Sequence, residues 1–121
     1  MAAPNLVNVS TITAKSVQTT LNTTLTTEIL ANAASSGKVF KVNNIIVANI
    51  DGSSAADASV FITKSGGSPI AIASTKSVPA DATLVVIDKN SSLYLEEGDN
   101  IEAGASANSD LTITINYEEL S

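Results

Sequence analysis

Four acidic side chains, Glu96, Glu97, Asp99 and Glu102, crowd one turn and the start of the stretch that follows it. Carboxylate oxygens so close together are the raw material of a Ca²⁺ site. The stretch lacks the alternating ladder of ligands that a dedicated calcium loop presents, so a solvated hairpin tip that keeps sheet edges from pairing is the simpler account. Asp51 and Asp57 flank GSSAA and pose the same question; Asp side chains capping a turn explain them with fewer assumptions. A carboxylate pair for glycoside hydrolysis is available by residue type. Such sites normally carry aromatic platforms, however, and the chain has two Tyr, two Phe and no Trp. Ser and Thr hydroxyls are plentiful, but there is no His to activate them and no Cys to replace them, and Lys-assisted variants show no recognisable motif. Gly66-Gly67 signals a hairpin and not a phosphate loop, because no Lys-Ser/Thr pair or helix follows it. The sequons at Asn8, Asn22 and Asn90 arise readily in a chain rich in Asn, Ser and Thr, and need carry no glycan. The residues nominate no catalytic, cofactor-binding or metal-ligating position, and the expectation is a protein that is not an enzyme and uses no cofactor.

The bulk composition sets further bounds. A chain of 121 residues has room for one domain, expected over residues 1–121. Its hydrophobic fraction is 44% but its aromatic fraction only 3%, so Val, Ile, Leu and Ala must build the core, which suits two thin sheets packed together. Abundant Thr favours strands, while Ser and Asn favour turns, and all three count against long helices. The net charge is −6, with six Lys and no Arg. That balance is poorly suited to gripping phosphate backbones, and no nucleic-acid partner is expected. The N-terminal MAAPNLVNVSTITAK has no basic-then-apolar signal-peptide pattern, and no apolar run approaches the length of a membrane span. No membrane association is expected either, and the protein is expected to be made in the cytoplasm.

The elements that position these residues are strands. The clearest is Asp110 to Glu118, where Leu111, Ile113, Ile115 and Tyr117 alternate with Thr112, Thr114 and Asn116. That is the period of two of a strand with one buried and one wet face. Met1–Asn5 reads as a short tail, and residues 1–16 are a candidate extended arm. Leu6–Ala14 is strand-like, and Ser16–Thr27 places Val17, Leu21 and Leu25 on one face of a second strand. Glu28–Ala34 admits a helix as a minor option ahead of a small-residue loop ending at Gly37. Lys38–Ile50 carries apolar residues at both parities, which predicts a central strand buried on much of both faces. Short strands follow at Ala58–Lys64, from Pro69, at Thr83–Asp88, Leu93–Leu95 and Ile101–Ala105, separated by turn signals. About eight short strands predict an all-β, antiparallel β-sandwich or jelly-roll-like domain.

Residues 37–120 resemble small virion structural proteins of tailed bacteriophages, those of marine and cyanobacterial phages in particular. The resemblance rests on Gly37-Lys38-Val39-Phe40, the turn Asn49-Ile50-Asp51-Gly52, Val78-Pro79-Ala80, Leu95 to Asp99, and the ending from Ala105-Ser106-Ala107-Asn108 to Tyr117-Glu118-Glu119. It implies a non-enzymatic building block of the virion, present in many copies and made in the host cytoplasm. The first role to consider is a capsid decoration (cement) protein on the outside of the head, acting as a homo-oligomer with the major capsid protein as its main partner. A neck, tail or fibre-associated component is the alternative, and a carbohydrate-binding β-sandwich module is a third reading from a different class. The segment Leu6–Leu25 lies outside the matching stretch and is the expected site of contacts between subunits or with the capsid.

Overall fold

Alternation and turn chemistry produce nine strands in the computed structural model, which describes residues 4–121. In chain order they are β1 (Ile12–Thr20), β2 (Thr27–Ala31), β3 (Val39–Asn49), β4 (Ala56–Thr63), β5 (Ile70–Val78), β6 (Thr83–Ile87), β7 (Leu93–Leu95), β8 (Asn100–Ala105) and β9 (Leu111–Leu120). They form two antiparallel sheets packed as a β-sandwich. One sheet has the order β1-β9-β3-β6 with β7 also on β3, and the other has the order β2-β8-β4-β5. Strand β6 covers Ile45–Ala48 of β3 and β7 covers Phe40–Val42, so the two share one edge of the longer strand. Between them Asp88 caps a single 3-10 turn, its Oδ1 accepting from the backbone N–H of Asn90 at 2.9 Å and of Ser91 at 3.1 Å. With β6 and β7 counted as one broken strand, the pairs are β1 with β9, β2 with β8, β3 with β6/β7 and β4 with β5. That is one long hairpin doubled over and rolled up, the jelly-roll connectivity.

The core has a division of sizes. Leu111, Ile113 and Ile115 of β9 and Val42, Ile45 and Val47 of β3 supply bulk from the first sheet, all with no exposed surface. Opposite them the second sheet offers mostly small residues, Ala56, Ala58, Ala103 and Ala105, beside Val60 and Ile101. Large against small lets two sheets without Trp interdigitate to native density. Each buried Val, Leu or Ile contributes roughly 1.5–3 kcal/mol of transfer free energy. Phe40 and Tyr117 close one end, ring centroids 5.1 Å apart.

Three local expectations change. The two apolar parities of β3 are joined by a bulge: Val42 faces Tyr117 and Asn44 faces Asn116, leaving Asn43 as the extra residue. An inserted residue flips side-chain parity, so Phe40 and Val42 before it and Ile45 and Val47 after it all point into the core. The helical option at Glu28–Ala34 gives way to β2, because β8 offers backbone partners and Leu30 reaches the core only from a strand. Leu21 is buried, but Leu25 is 42% exposed. The chain leaves the sheet after Leu21 and crosses β8 at Gly104, where Thr24 and Leu25 lie so close that no side chain fits. Of the tail, residues 1–3 lie outside the described residues. Residues 12–16 of the candidate arm belong to β1 and pair with β9.

Candidate functional site

The acidic turn turns out to be knotted internally. Asp99 is buried, with 2% of its side chain exposed. Its Oδ2 accepts from the Glu96 backbone N–H at 2.8 Å and from Lys64 Nζ at 2.5 Å, and its Oδ1 accepts from the Ser65 N–H at 2.9 Å. Lys64 also reaches Glu96 at 2.7 Å. Burial pushes the Asp99 carboxyl up, but the Lys64 ammonium and the two backbone donors outweigh it and hold it below the ordinary value of 3.8. The same contacts, Asp99 first and then Glu96, raise the Lys64 ammonium above its ordinary value. Glu97 accepts from the Gly37 N–H at 2.9 Å, and Glu102 accepts from the Thr63 hydroxyl at 2.9 Å. The carboxylates thus spend their oxygens on neighbouring loops. Gly98 completes the turn with a positive φ of 87°, and any Cβ there would strike Ser65.

Behind this turn sits fully buried Asn32. Its Nδ2 donates to the carbonyls of Lys38 at 2.8 Å and Leu95 at 3.1 Å, and its backbone exchanges hydrogen bonds with Asp99 and Gly98. At the other end of β3, buried Asn49 does the equivalent, donating to Ser54 and Val78 and accepting from the Asp51 N–H. Asp51 accepts from the Ser53 N–H and hydroxyl, and those bonds hold its carboxyl below its ordinary value. The Asp57 N–H donates to the Ser106 hydroxyl at 2.8 Å, and the Asp57 carbonyl accepts from the Ser106 N–H at 2.9 Å. Both aspartates therefore sit in turn and ladder geometry, and they stay apart from the acidic turn. Among the described residues no group of three or more His, Cys, Asp or Glu is placed to hold a metal ion. Lys64, the partner that makes sense of Asp99, escaped the sequence reading because it lies 35 positions away.

What the surface does offer is sheet edge. Eight of the nine residues of β1 are exposed, and Val17 is half-buried and packed against the core. Nine consecutive residues pair with β9 without a register shift. The Thr11 N–H donates to the Ser121 carbonyl and the Ser121 N–H to the Thr11 carbonyl, both at 2.9 Å, and the Leu21 N–H donates to Leu111 at 2.8 Å. Antiparallel ladders alternate, so odd-numbered residues of β1 bond to β9. The N–H and C=O groups of Ile12, Ala14, Ser16, Gln18 and Thr20 therefore point outward, unpaired among the described residues.

Strand β5 is the corresponding edge of the second sheet and is equally exposed. It is far from regular: its register against β4 shifts between Ala58 and Val60 and again between Val60 and Phe61. At the first shift Thr75 adopts φ 51°, a left-handed conformation costly for a β-branched residue, and its N–H donates to the buried Ser59 hydroxyl at 3.0 Å. Ile72, Ala73, Lys76, Leu84, Val85 and Val86 line a hollow of about 260 Å³ between β5 and β6. A second hollow, about 300 Å³, lies where the N-terminal segment meets β7, with Leu6, Val9, Ile12, Tyr94 and Leu120 among its lining.

Neither the known family models nor the curated proteins provide a match to this chain.

Proposed function

We propose that this protein is a non-enzymatic structural component of a tailed-phage virion, a decoration (cement) protein carried on the outside of the head as a symmetric oligomer. The observation that carries the reading is β1, a nine-residue strand with eight exposed residues and a regular, open backbone edge. A strand held by its ladder and not by a core of its own is a surface for assembly. Its Ser, Thr and Ala side chains lose little rotamer freedom when fixed, which suits close contacts repeated over many copies. The acidic balance of −6 favours an exterior position, away from packaged DNA.

A carbohydrate-binding role draws little support. Phe40 and Tyr117 are committed to the core, and Tyr94 is the aromatic among the exposed large hydrophobics, so a stacking platform of several rings is missing there. Cryo-electron microscopy of intact particles from the source lysate tests the proposal. Density spread as a regular lattice over the capsid shell is the expected result. Density confined to the neck, tail or fibres would move the protein to that position, and its absence from particles would end the virion reading.

A further inference from the structure

We infer that β1 is the self-association edge of this protein, adding to β1 of a second copy about a two-fold axis at Ser16 and joining two β1-β9-β3 sheets into one continuous sheet. This rests on the oligomeric part of the proposed function and deepens it by naming the strand, the partner and the register. The first argument is geometric. Among the described residues the outward donors and acceptors of β1 without a partner belong to Ile12, Ala14, Ser16, Gln18 and Thr20, spaced two apart along an uninterrupted strand. An antiparallel copy centred on Ser16 sets Ser16 against Ser16, Ala14 against Gln18 and Ile12 against Thr20. Each of these is a pair whose free groups face one another, so the whole edge is satisfied in a single register. An isologous pairing of this kind closes on itself and does not propagate.

The second argument is charge. Each copy carries a net charge of −6, so association is opposed wherever acidic residues meet. The first acidic side chain of the sequence is Glu28, and Lys15 is the one ionisable side chain in residues 4–27. Glu119 holds the Lys15 ammonium at 3.2 Å. In the Ser16-centred register Lys15 faces Val17 of the other copy, not a second Lys15. The third argument is the contrast with β5, whose two register shifts and left-handed Thr75 spoil its edge for strand addition. No such disruption occurs in β1.

The test uses the full chain in solution. Sedimentation velocity up to about 1 mM should show a dimer. Ser16→Pro removes only an outward N–H, since β9 is bonded by the odd residues. It should abolish the dimer while far-UV circular dichroism stays that of the parent. In a protein without other cysteines, Ser16→Cys should form an intermolecular disulfide on mild oxidation. Cα atoms in a hydrogen-bonded antiparallel pair lie about 5.5 Å apart, within the roughly 4.4–6.8 Å that a disulfide spans. Gln18→Cys should not crosslink, because the two copies of residue 18 stand about 13 Å apart along the strands. A monomer throughout the concentration range, a dimer untouched by Ser16→Pro, or crosslinking through Gln18→Cys as efficient as through Ser16→Cys would each overturn the inference. A monomer in solution that still decorates heads, and loses them on Ser16→Pro, would also overturn it and assign the edge to the capsid. Decoration itself is read from particle density, so the two proposals can fail separately.

Discussion

Strands β1 and β5 are each nine residues long, each forms the border of its sheet, and each is exposed along most of its length, yet they are built on opposite plans. The β1 edge is mostly polar in side chain, Ile12 apart, and regular in backbone. The β5 edge carries apolar side chains, Ile70 65% and Ile72 38% exposed, on a backbone broken twice. An edge invites another strand through its row of unpaired amides, and apolar side chains on that row make the invitation indiscriminate. The protein separates the two risks. Where the side chains are sticky the backbone is spoiled, and where the backbone is open most side chains are hydroxyls and amides, with Ile12, 61% exposed at the start of β1, as the apolar exception.

The comparison can be broken most severely at the bulge. Deleting Thr75 brings the step from Ala73 to Lys76 level with that from Val60 to Ala58 and removes the first of the two breaks in the apolar edge. Loss of soluble protein and rising light scattering are expected, where the parent stays clear. On β1, Val17→Pro removes a bond to β9 as well as a half-buried side chain, whereas Ser16→Pro removes an outward donor. Urea denaturation should place Val17→Pro about 2 kcal/mol below Ser16→Pro. Equal losses would mean that the inward and outward parities are assigned wrongly. A smaller effect is expected for Ser59→Ala, which deprives the Thr75 N–H of its acceptor; about 1 kcal/mol should be lost, with local amide exchange rising on β5 and not on β1.

The smallest effect concerns pH. Burial raises the Glu119 carboxyl, but hydrogen bonds from Lys15 and Lys38 outweigh it and hold it below its ordinary 4.5. A carboxyl depressed in the folded state contributes stability that is complete above the unfolded value and is lost as pH falls through the folded one. Lys15 is 46% exposed at its side chain, so solvent screens the pair and the contribution is small. Hydrogen exchange below pH 4.5 should show β1 loosening before β5, and Glu119→Gln should remove that difference.

How much of this was legible in the sequence depended on whether a side chain reports its own face. Leu111, Ile113, Ile115 and Tyr117 do, and β9 is where the alternation predicted it. In β3 the pattern was present but ambiguous, because the Asn43 bulge changes parity without a glycine to announce it. For β1 the strand character of Leu6–Ala14 and Ser16–Thr27 was legible, but not that one strand, Ile12–Thr20, joins them or that it is an edge. Val17 alone of its nine residues is half-buried, and its place is set by backbone pairings with β9 that leave little apolar signature. The acidic turn was recognised as a cluster, but its chemistry belongs to Lys64, Ser65 and Gly37, brought in by the fold from far along the chain.

The rolled-hairpin connectivity also sets an order in time. The innermost pair, β4 with β5, closes across a short loop, while β1 with β9 must bring residues 12–20 against 112–120. Closure entropy favours the local pair first, so the β4–β5 hairpin is expected to form before β1 docks, in a topology whose many distant pairings predict folding in roughly milliseconds to seconds. During synthesis β1 emerges before all the other strands of the sandwich and waits for them before its partner β9 exists. A strand that must wait in water is well served by the hydroxyls and amide of Thr13, Ser16, Gln18, Thr19 and Thr20.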